Sequence, residues 1–308
     1  ARGFRPPQKF RALIVKTQLN HDRSRVLWHR VYAYDKLALS QRGWNPASTV
    51  KLFAAVGALE RVKRLGFSPR VRVTYHYEGG PMSFRLDEML EEAMHESKNL
   101  PYNRLVQLAG FDALNGPRGT LKRAGLEQSY IIRAYEVSAW TREGHSKWFK
   151  STPKITLREG RRKRTIKART SKTKYPCYGA ACASMSDLAK MMCSMMLHEQ
   201  LPASVRLQLG GDGEQGPHLR VLRRAMNERR RRGKDDVWDA FKKAFPSGRG
   251  YTIYRKAGFS EDWLSDNIYL YHSRSRVRWI VSLAGYPGRG ALAKAAQTVA
   301  GIIADDAL

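Results

Sequence analysis

Asn45-Pro46-Ala47-Ser48-Thr49-Val50-Lys51-Leu52-Phe53-Ala54-Ala55-Val56 reads as the start of a buried helix. Asn45 can cap free backbone N–H groups, and Pro46 suits the first helical position, where no N–H is needed. Val50, Phe53, Ala54, Ala55, Val56 and Leu59 then leave the segment apolar nearly all round, as in a helix enclosed by its neighbours. A helix from Ala47 to Leu65 is predicted. Ser48 falls in its first turn, and Lys51 lies one turn on, on the same face. An ammonium held there is desolvated, its pKa falls, and the neutral amine can take a serine proton. The bland alternative is an ordinary first-turn serine beside a snorkelling surface lysine. The pattern alone does not decide, because S-x-x-K occurs at Ser48, Ser151 and Ser171. Context does: Pro153 follows Ser151 and breaks a helix, and Ser171 sits in a run of solvated cations.

Two further motifs follow in order. Ser97-Lys98-Asn99 precedes the helical stretch beginning Leu100-Pro101-Tyr102-Asn103-Arg104-Leu105, and Lys256-Ala257-Gly258 ends a strand-like run from Tyr251. No other K-x-G occurs in the chain. Ser265-Asp266-Asn267 is a literal S-D-N, but it comes after the K-x-G inside a strand-like run and is set aside as a decoy.

In this order, and in these settings, the three motifs resemble those of the class A β-lactamase and penicillin-binding-protein group of serine hydrolases. Trp44 to Leu52 resembles that family's nucleophile helix, Glu96 to Leu105 its S-D-N segment, and Arg255 to Gly258 its K-T-G strand. The resemblance runs from about Phe10 to the C-terminus. It implies that Ser48 is the nucleophile and Lys51 its base. It makes Ser97 a proton relay toward the leaving nitrogen, helped by the charge of Lys256. It makes Asn99 a hydrogen-bond partner of a substrate amide. Gly258 and Phe259 would border the substrate, with the backbone N–H groups of Ser48 and Phe259 forming the oxyanion hole. Two departures stand out. Ala257 replaces the family's hydroxyl, which helps bind a substrate carboxylate, and Ser260 is the hydroxyl nearby. Arg133-Ala134-Tyr135-Glu136 falls about where class A enzymes carry Arg-Trp-Glu, which makes Glu136 the candidate deacylation base; the alternative is a plain surface acid.

At 308 residues the chain can build a full core, and its 42% hydrophobic and 27% charged residues are ordinary for a globular protein. No apolar run approaches the ~20 residues of a transmembrane helix. Three cysteines leave compartment open: Cys177 and Cys182 could bridge a short loop, and Cys193 lies beside Met191, Met192, Met195 and Met196, a stripe read as core packing. No Cys/His spacing suggests a metal, and no cofactor is expected. The chain begins at Ala1 without a signal-like segment. Together with the exported habit of the family, this leads to an expected bacterial periplasmic or secreted protein whose signal peptide has been removed.

Charge is the second unusual feature: 56 Lys and Arg oppose 27 acids, a formal +29. Trp140 to Pro176 holds 13 cations and 2 acids, and Arg220 to Lys234 holds 8 and 1. Lys154-Ile155-Thr156-Leu157 and Thr165-Ile166-Lys167-Ala168 alternate around Arg158-Glu159-Gly160-Arg161-Arg162-Lys163-Arg164, which predicts an inserted hairpin with a cationic tip. Such a surface can simply be solvated; it can also dock an anionic envelope polymer or lipid head groups through Arg158, Arg161, Arg162, Lys163 and Arg164. Zinc-finger, RNP-like and basic-zipper patterns are missing, so no specific nucleic-acid partner is expected.

Strand-like runs at both ends (Phe10 to Val15, Val26 to Tyr34; Tyr251 to Lys256, Asn267 to His272, Val277 to Ala284) enclose helical segments. The expectation is an α/β (α+β) chain of β-lactamase-like fold, with an antiparallel sheet built from both chain ends and flanked by helices. Residues 1–46 and 246–308 would form the sheet-containing lobe. Residues 47–245 would form a mainly helical lobe with the basic insertion at about 140–176. The expected function is an exported serine hydrolase, acylated at Ser48, acting on a cell-wall peptide or β-lactam-like substrate. The alternatives are a catalytically silent member that binds an anionic surface, and a true β-lactamase.

Overall fold

The computed structural model describes residues 6, 9–35, 45–135, 150–172, 174–177, 179–210, 216–227, 236–260, 264–285 and 289–305. Two strands open the chain, β1 (Arg11–Leu19) and β2 (Val26–Tyr34), and three close it, β11 (Tyr251–Phe259), β12 (Leu264–His272) and β13 (Val277–Gly285). They form one antiparallel sheet in the order β11-β12-β13-β1-β2, so the two chain ends share a sheet as expected. Alternate side chains of the central strands enter two different cores. Leu13, Tyr269 and Ile280 join the main core, while Ile14, Leu270 and Val281 join a second one. A sheet covered on both faces accounts for the near-continuous burial of β12 and β13.

The main core is built on α1 (Lys51–Arg64), a helix in which Leu52, Phe53, Ala54, Ala55 and Val56 are all fully buried. Around it lie α2 (Leu86–Met94), α3 (Asn99–Ala109), and the short α4 (Phe111–Asn115) and α5 (Thr120–Arg123). The main core also takes in α6 (Met185–Met196), with Met191, Met192, Met195 and Met196 buried inside it, and α7 (Pro217–Ala225). The second core packs α8 (Asp236–Ala244), through Val237, Trp238 and Phe241, together with α9 (Arg289–Ala304) on the far face of the sheet.

A separate four-stranded sheet has the order β4-β3-β7-β8, from β3 (Arg72–Tyr77), β4 (Gly80–Arg85), β7 (Lys154–Glu159) and β8 (Arg162–Ile166). The basic insertion therefore does form a hairpin. It pairs with β3 rather than standing free, because Ile155 and Leu157 are buried alongside Val73 and Tyr75. Two short pairs complete the strands: β5 (Tyr130–Ile131) with β10 (Ala181–Cys182), and β6 (Ser151–Thr152) with β9 (Arg169–Thr170). Cys177 and Cys182 are joined by a disulfide. In the second basic run, Arg223 is buried on a bidentate pair with Glu199 and the Met195 carbonyl; residues 228–235 lie outside the described residues. Among the described residues no helix is long and apolar enough to cross a membrane.

Candidate active site

The segment around Ser48 departs from the predicted continuous helix. Ala47–Val50 forms a 3₁₀ turn, and the α-helix proper begins at Lys51. Asn45 Oδ1 accepts from the Ala47 N–H at 3.0 Å, but this bond lies ahead of the turn: Pro46 takes the cap position instead of the first helical one, neither the 3₁₀ turn nor the helix has a side-chain cap, and Ala47 itself sits at φ +47°. A non-glycine residue in that region is strained unless its surroundings hold it. Here they do: Tyr135 Oη donates to the Ala47 carbonyl at 2.6 Å, and Ser265 Oγ donates to the Pro46 carbonyl at 3.0 Å. Tyr135 is fixed in turn by Asn103, whose Oδ1 accepts from its N–H and whose Nδ2 donates to its carbonyl, both at 2.7 Å. Burial pushes the Tyr102 and Tyr135 phenols up, so both stay protonated.

Lys51 is fully buried, and desolvation lowers its pKa from 10.5 to about 7. Its Nζ donates to the Ser97 carbonyl and to Asn99 Oδ1 at 2.8 Å, lies 3.5 Å from Ser97 Oγ, and stands 5.8 Å above the Tyr102 ring. A neutral amine has two N–H groups and one lone pair. With the two close oxygens taking the two N–H groups, the lone pair is left to accept a proton. Among the described residues no hydrogen bond engages the Ser48 hydroxyl and no carboxylate is bonded to Lys51.

Ser97 is the junction. It adopts φ +61°, which turns its carbonyl to Lys51 while its Oγ accepts from Lys256 Nζ at 2.7 Å. Lys256 is 2% exposed and also donates to the Ala257 carbonyl at 3.0 Å. The three motifs, scattered over 200 residues of chain, thus meet through one hydroxyl. β11 is held against the turn by close backbone approach. A Cβ on Gly258 would meet Ser48 N at 2.9 Å, the Pro46 carbonyl at 2.8 Å and Ser265 Oγ at 2.6 Å, so only glycine fits. One residue on, Phe259 is 59% exposed at the strand end, followed by half-buried Ser260.

Of the predicted site residues, Lys51, Ser97, Asn99 and Lys256 are joined by hydrogen bonds, the Ser48 backbone lies against Gly258, and Phe259 and Ser260 follow Gly258 at the end of β11. Glu136 lies outside the described residues, although Tyr135 before it is anchored to the Ala47 carbonyl. Sequence reasoning missed Tyr102, Asn103, Tyr135 and Ser265. Tyr102 and Asn103 had a signal, since they follow Asn99 at i+3 and i+4 and so share its face. Ser265, set aside with the S-D-N decoy, pairs with Gly258 across the ladder and fastens the serine turn. Asp266 of the same stretch is the buried ion-pair partner of Arg255.

No family model and no curated protein matches the sequence. Among solved structures, the chain is similar to PBP-A (15% identity, covering 98% of this chain and 92% of that one, TM-score 0.59). It is similar to a β-lactamase from Sphaerobacter thermophilus (13% identity, 96% and 92% covered, TM-score 0.56). A single-site PBP-A variant, solved as an acyl-enzyme complex with penicillin G, matches at 15% identity over 96% and 90%, TM-score 0.55. At such identities the likeness is one of fold, and it spans nearly the whole chain.

Proposed function

We propose that this chain, which has the fold of class A β-lactamases and PBP-A, is an exported bacterial serine hydrolase acylated at Ser48. The observation that carries this reading is the fully buried Lys51, whose pKa desolvation lowers, bonded to Ser97 and Asn99 while the Ser97 hydroxyl accepts from Lys256. Ser48 Oγ attacks the carbonyl carbon of an amide, and its proton passes to the Lys51 lone pair as the C–O bond forms. The backbone N–H groups of Ser48 and Phe259 take the charge on the carbonyl oxygen. Ser97 Oγ gives its proton to the departing nitrogen and is reprotonated from the lysine side. Lys256 Nζ, which donates to this oxygen at 2.7 Å, favours it as it loses hydrogen. Water then hydrolyses the ester.

The substrate class is an amide or peptide of the cell envelope. Ala257 removes the hydroxyl that would hold a carboxylate beside Lys256, which disfavours penicillin-like substrates and D-alanyl peptides. Fast β-lactam turnover requires Glu136 as base, and wild-type turnover in Glu136→Gln would remove that alternative. The experiment that tests the main reading compares wild type and Ser48→Ala on a panel of cell-wall peptides, amides and β-lactams. Loss of all hydrolysis with Ser48→Ala supports it, and unchanged hydrolysis refutes it. A second reading, a silent fold that binds an anionic envelope surface, is favoured by the cationic sheet that the insertion completes.

A further inference from the structure

The register of the four-stranded sheet sorts its exposed side chains into rows. Arg72 stands opposite Arg85 on one side and Arg158 on the other, and Arg158 stands opposite Lys163. The next row out of the pleat is Ser83, Thr74, Thr156 and Thr165, and the row after it is Pro81, His76 and Lys154. All of these share one face, because residues two apart along a strand point the same way. The opposite face carries Val73, Tyr75, Ile155 and Leu157 and is buried. On the outer face Arg72, Ser83, Lys154, Arg158, Lys163 and Thr165 are exposed.

At about 4.8 Å between strands, the rows run roughly 14 Å across the sheet. Like charges directly opposite one another destabilise a ladder. Arg85 is relieved by Asp87 at 2.7 Å and Glu88 at 3.6 Å, but no acid is paired with Arg72, Arg158 or Lys163 among the described residues. No position of the rows is acidic; Glu78 lies in the turn joining β3 to β4, and Glu159 is turned to Arg162 and Ser68. The hydroxyl row is ordered within the sheet by Thr74–Ser83 at 2.7 Å and by His76 Nε2–Thr156 at 3.0 Å.

We infer that this sheet face is a docking surface for an anionic polysaccharide, one carrying carboxylate or phosphate groups along a hydroxyl-rich chain. The inference rests on reading the basic insertion as an anion-docking element and is independent of Ser48 chemistry. It replaces the hairpin tip by the face. Arg162 is held by Glu159 and the Gly66 carbonyl, and Arg164 stands opposite Leu157 and so points away from Lys163. Cations in a row meet repeated anions, and the adjacent hydroxyls offer donors and acceptors to sugar hydroxyls. Among the described residues the face carries no phenyl, indole or phenol ring to stack bases, its one ring being the His76 imidazole bonded to Thr156, and no apolar wedge to enter a bilayer, which argues against nucleic acid and membrane as occupants.

The test measures binding of the full chain to polygalacturonate in about 50 mM salt, a screening regime that preserves charge contacts. Neutral dextran, oligo-dT and phosphatidylglycerol vesicles are run beside it. Arg72→Gln/Arg158→Gln/Lys163→Gln removes three charges from the face; Arg70→Gln/Arg161→Gln/Arg164→Gln removes three exposed charges beside it. The expected loss for the first is on the order of a hundredfold, from the usual contribution of each basic residue at an anionic surface. For the second it is within about threefold, as for peripheral charges. Thr156→Val/Thr165→Val, which leaves charge untouched, should weaken polygalacturonate binding about tenfold through lost hydrogen bonds. Ser48→Ala should bind as wild type. Equal losses in the two charge variants would overturn the face, leaving only diffuse attraction of a basic protein. Absence of wild-type binding to polygalacturonate, or tighter binding to oligo-dT or vesicles, would overturn the occupant.

Discussion

Replacing Lys51 with Met tests the buried amine without knowledge of the substrate. Met fills a similar volume but never carries a proton, so the stability difference between wild type and Lys51→Met isolates the titration of this one group. In the unfolded chain the amine titrates at its ordinary 10.5; in the fold, burial lowers it to about 7. Between these values the unfolded state binds the proton and the folded state does not. Wild-type stability must therefore rise with pH relative to the variant across that window. Below pH 7 both states of wild type are protonated and the full penalty of burying the charge is present. Above 10.5 both are neutral and it vanishes. Integrating the difference in bound protons from pH 7.5 to 9.5 gives a gain of about 2.5 kcal/mol for wild type over the variant. Urea unfolding of both proteins at several pH values in that range reads the gain directly. Tyrosines and the free cysteine titrate in both proteins and cancel. A difference that stays flat with pH would mean that Lys51 is charged in the folded state near neutrality and cannot serve as the base.

The same titration should appear in function, with the rate of Ser48 acylation rising with pH through about 7 and levelling above it; a falling rate would mean that the charged form is the active one. Gly258→Ala places a methyl within 3 Å of Ser48 N and the Pro46 carbonyl, and should cost about 1–3 kcal/mol in urea unfolding and nearly all acylation. Ser265→Ala loses the bond that ties β12 to the Pro46 carbonyl; an expected loss of about 1 kcal/mol should come with slower acylation, measured by burst kinetics. Asp266→Asn leaves the Arg255 guanidinium buried without its counter-charge and should destabilise by about 3–5 kcal/mol, seen as a lower urea midpoint.

The serine turn was legible because its evidence is local. A cap, a proline and an apolar run can all be read within a dozen residues, and the spacing from Ser48 to Lys51 follows from them. The same stretch hid its 3₁₀ geometry, since the backbone of Ala47 is set by hydroxyls arriving from Tyr135 and Ser265, 88 and 218 positions away. The basic hairpin was legible from alternation around Gly160. Its pairing with β3 was not, because register between distant strands is chosen by which faces they bury together. Ser265-Asp266-Asn267 shows the limit most clearly. As a motif it was a decoy, yet its members brace the serine turn and neutralise Arg255, roles visible only once β11 and β12 are in register.

Covalent labelling reads directly whether Ser48 is the nucleophile. Wild type and Ser48→Ala would be incubated with penicillin G and with a carboxylate-free fluorophosphonate, then read by intact mass and peptide mapping. A single adduct on Ser48 with at least one of the two reagents, absent from Ser48→Ala, is the expected result. No adduct from either reagent, or an adduct on another residue that persists in Ser48→Ala, would contradict it.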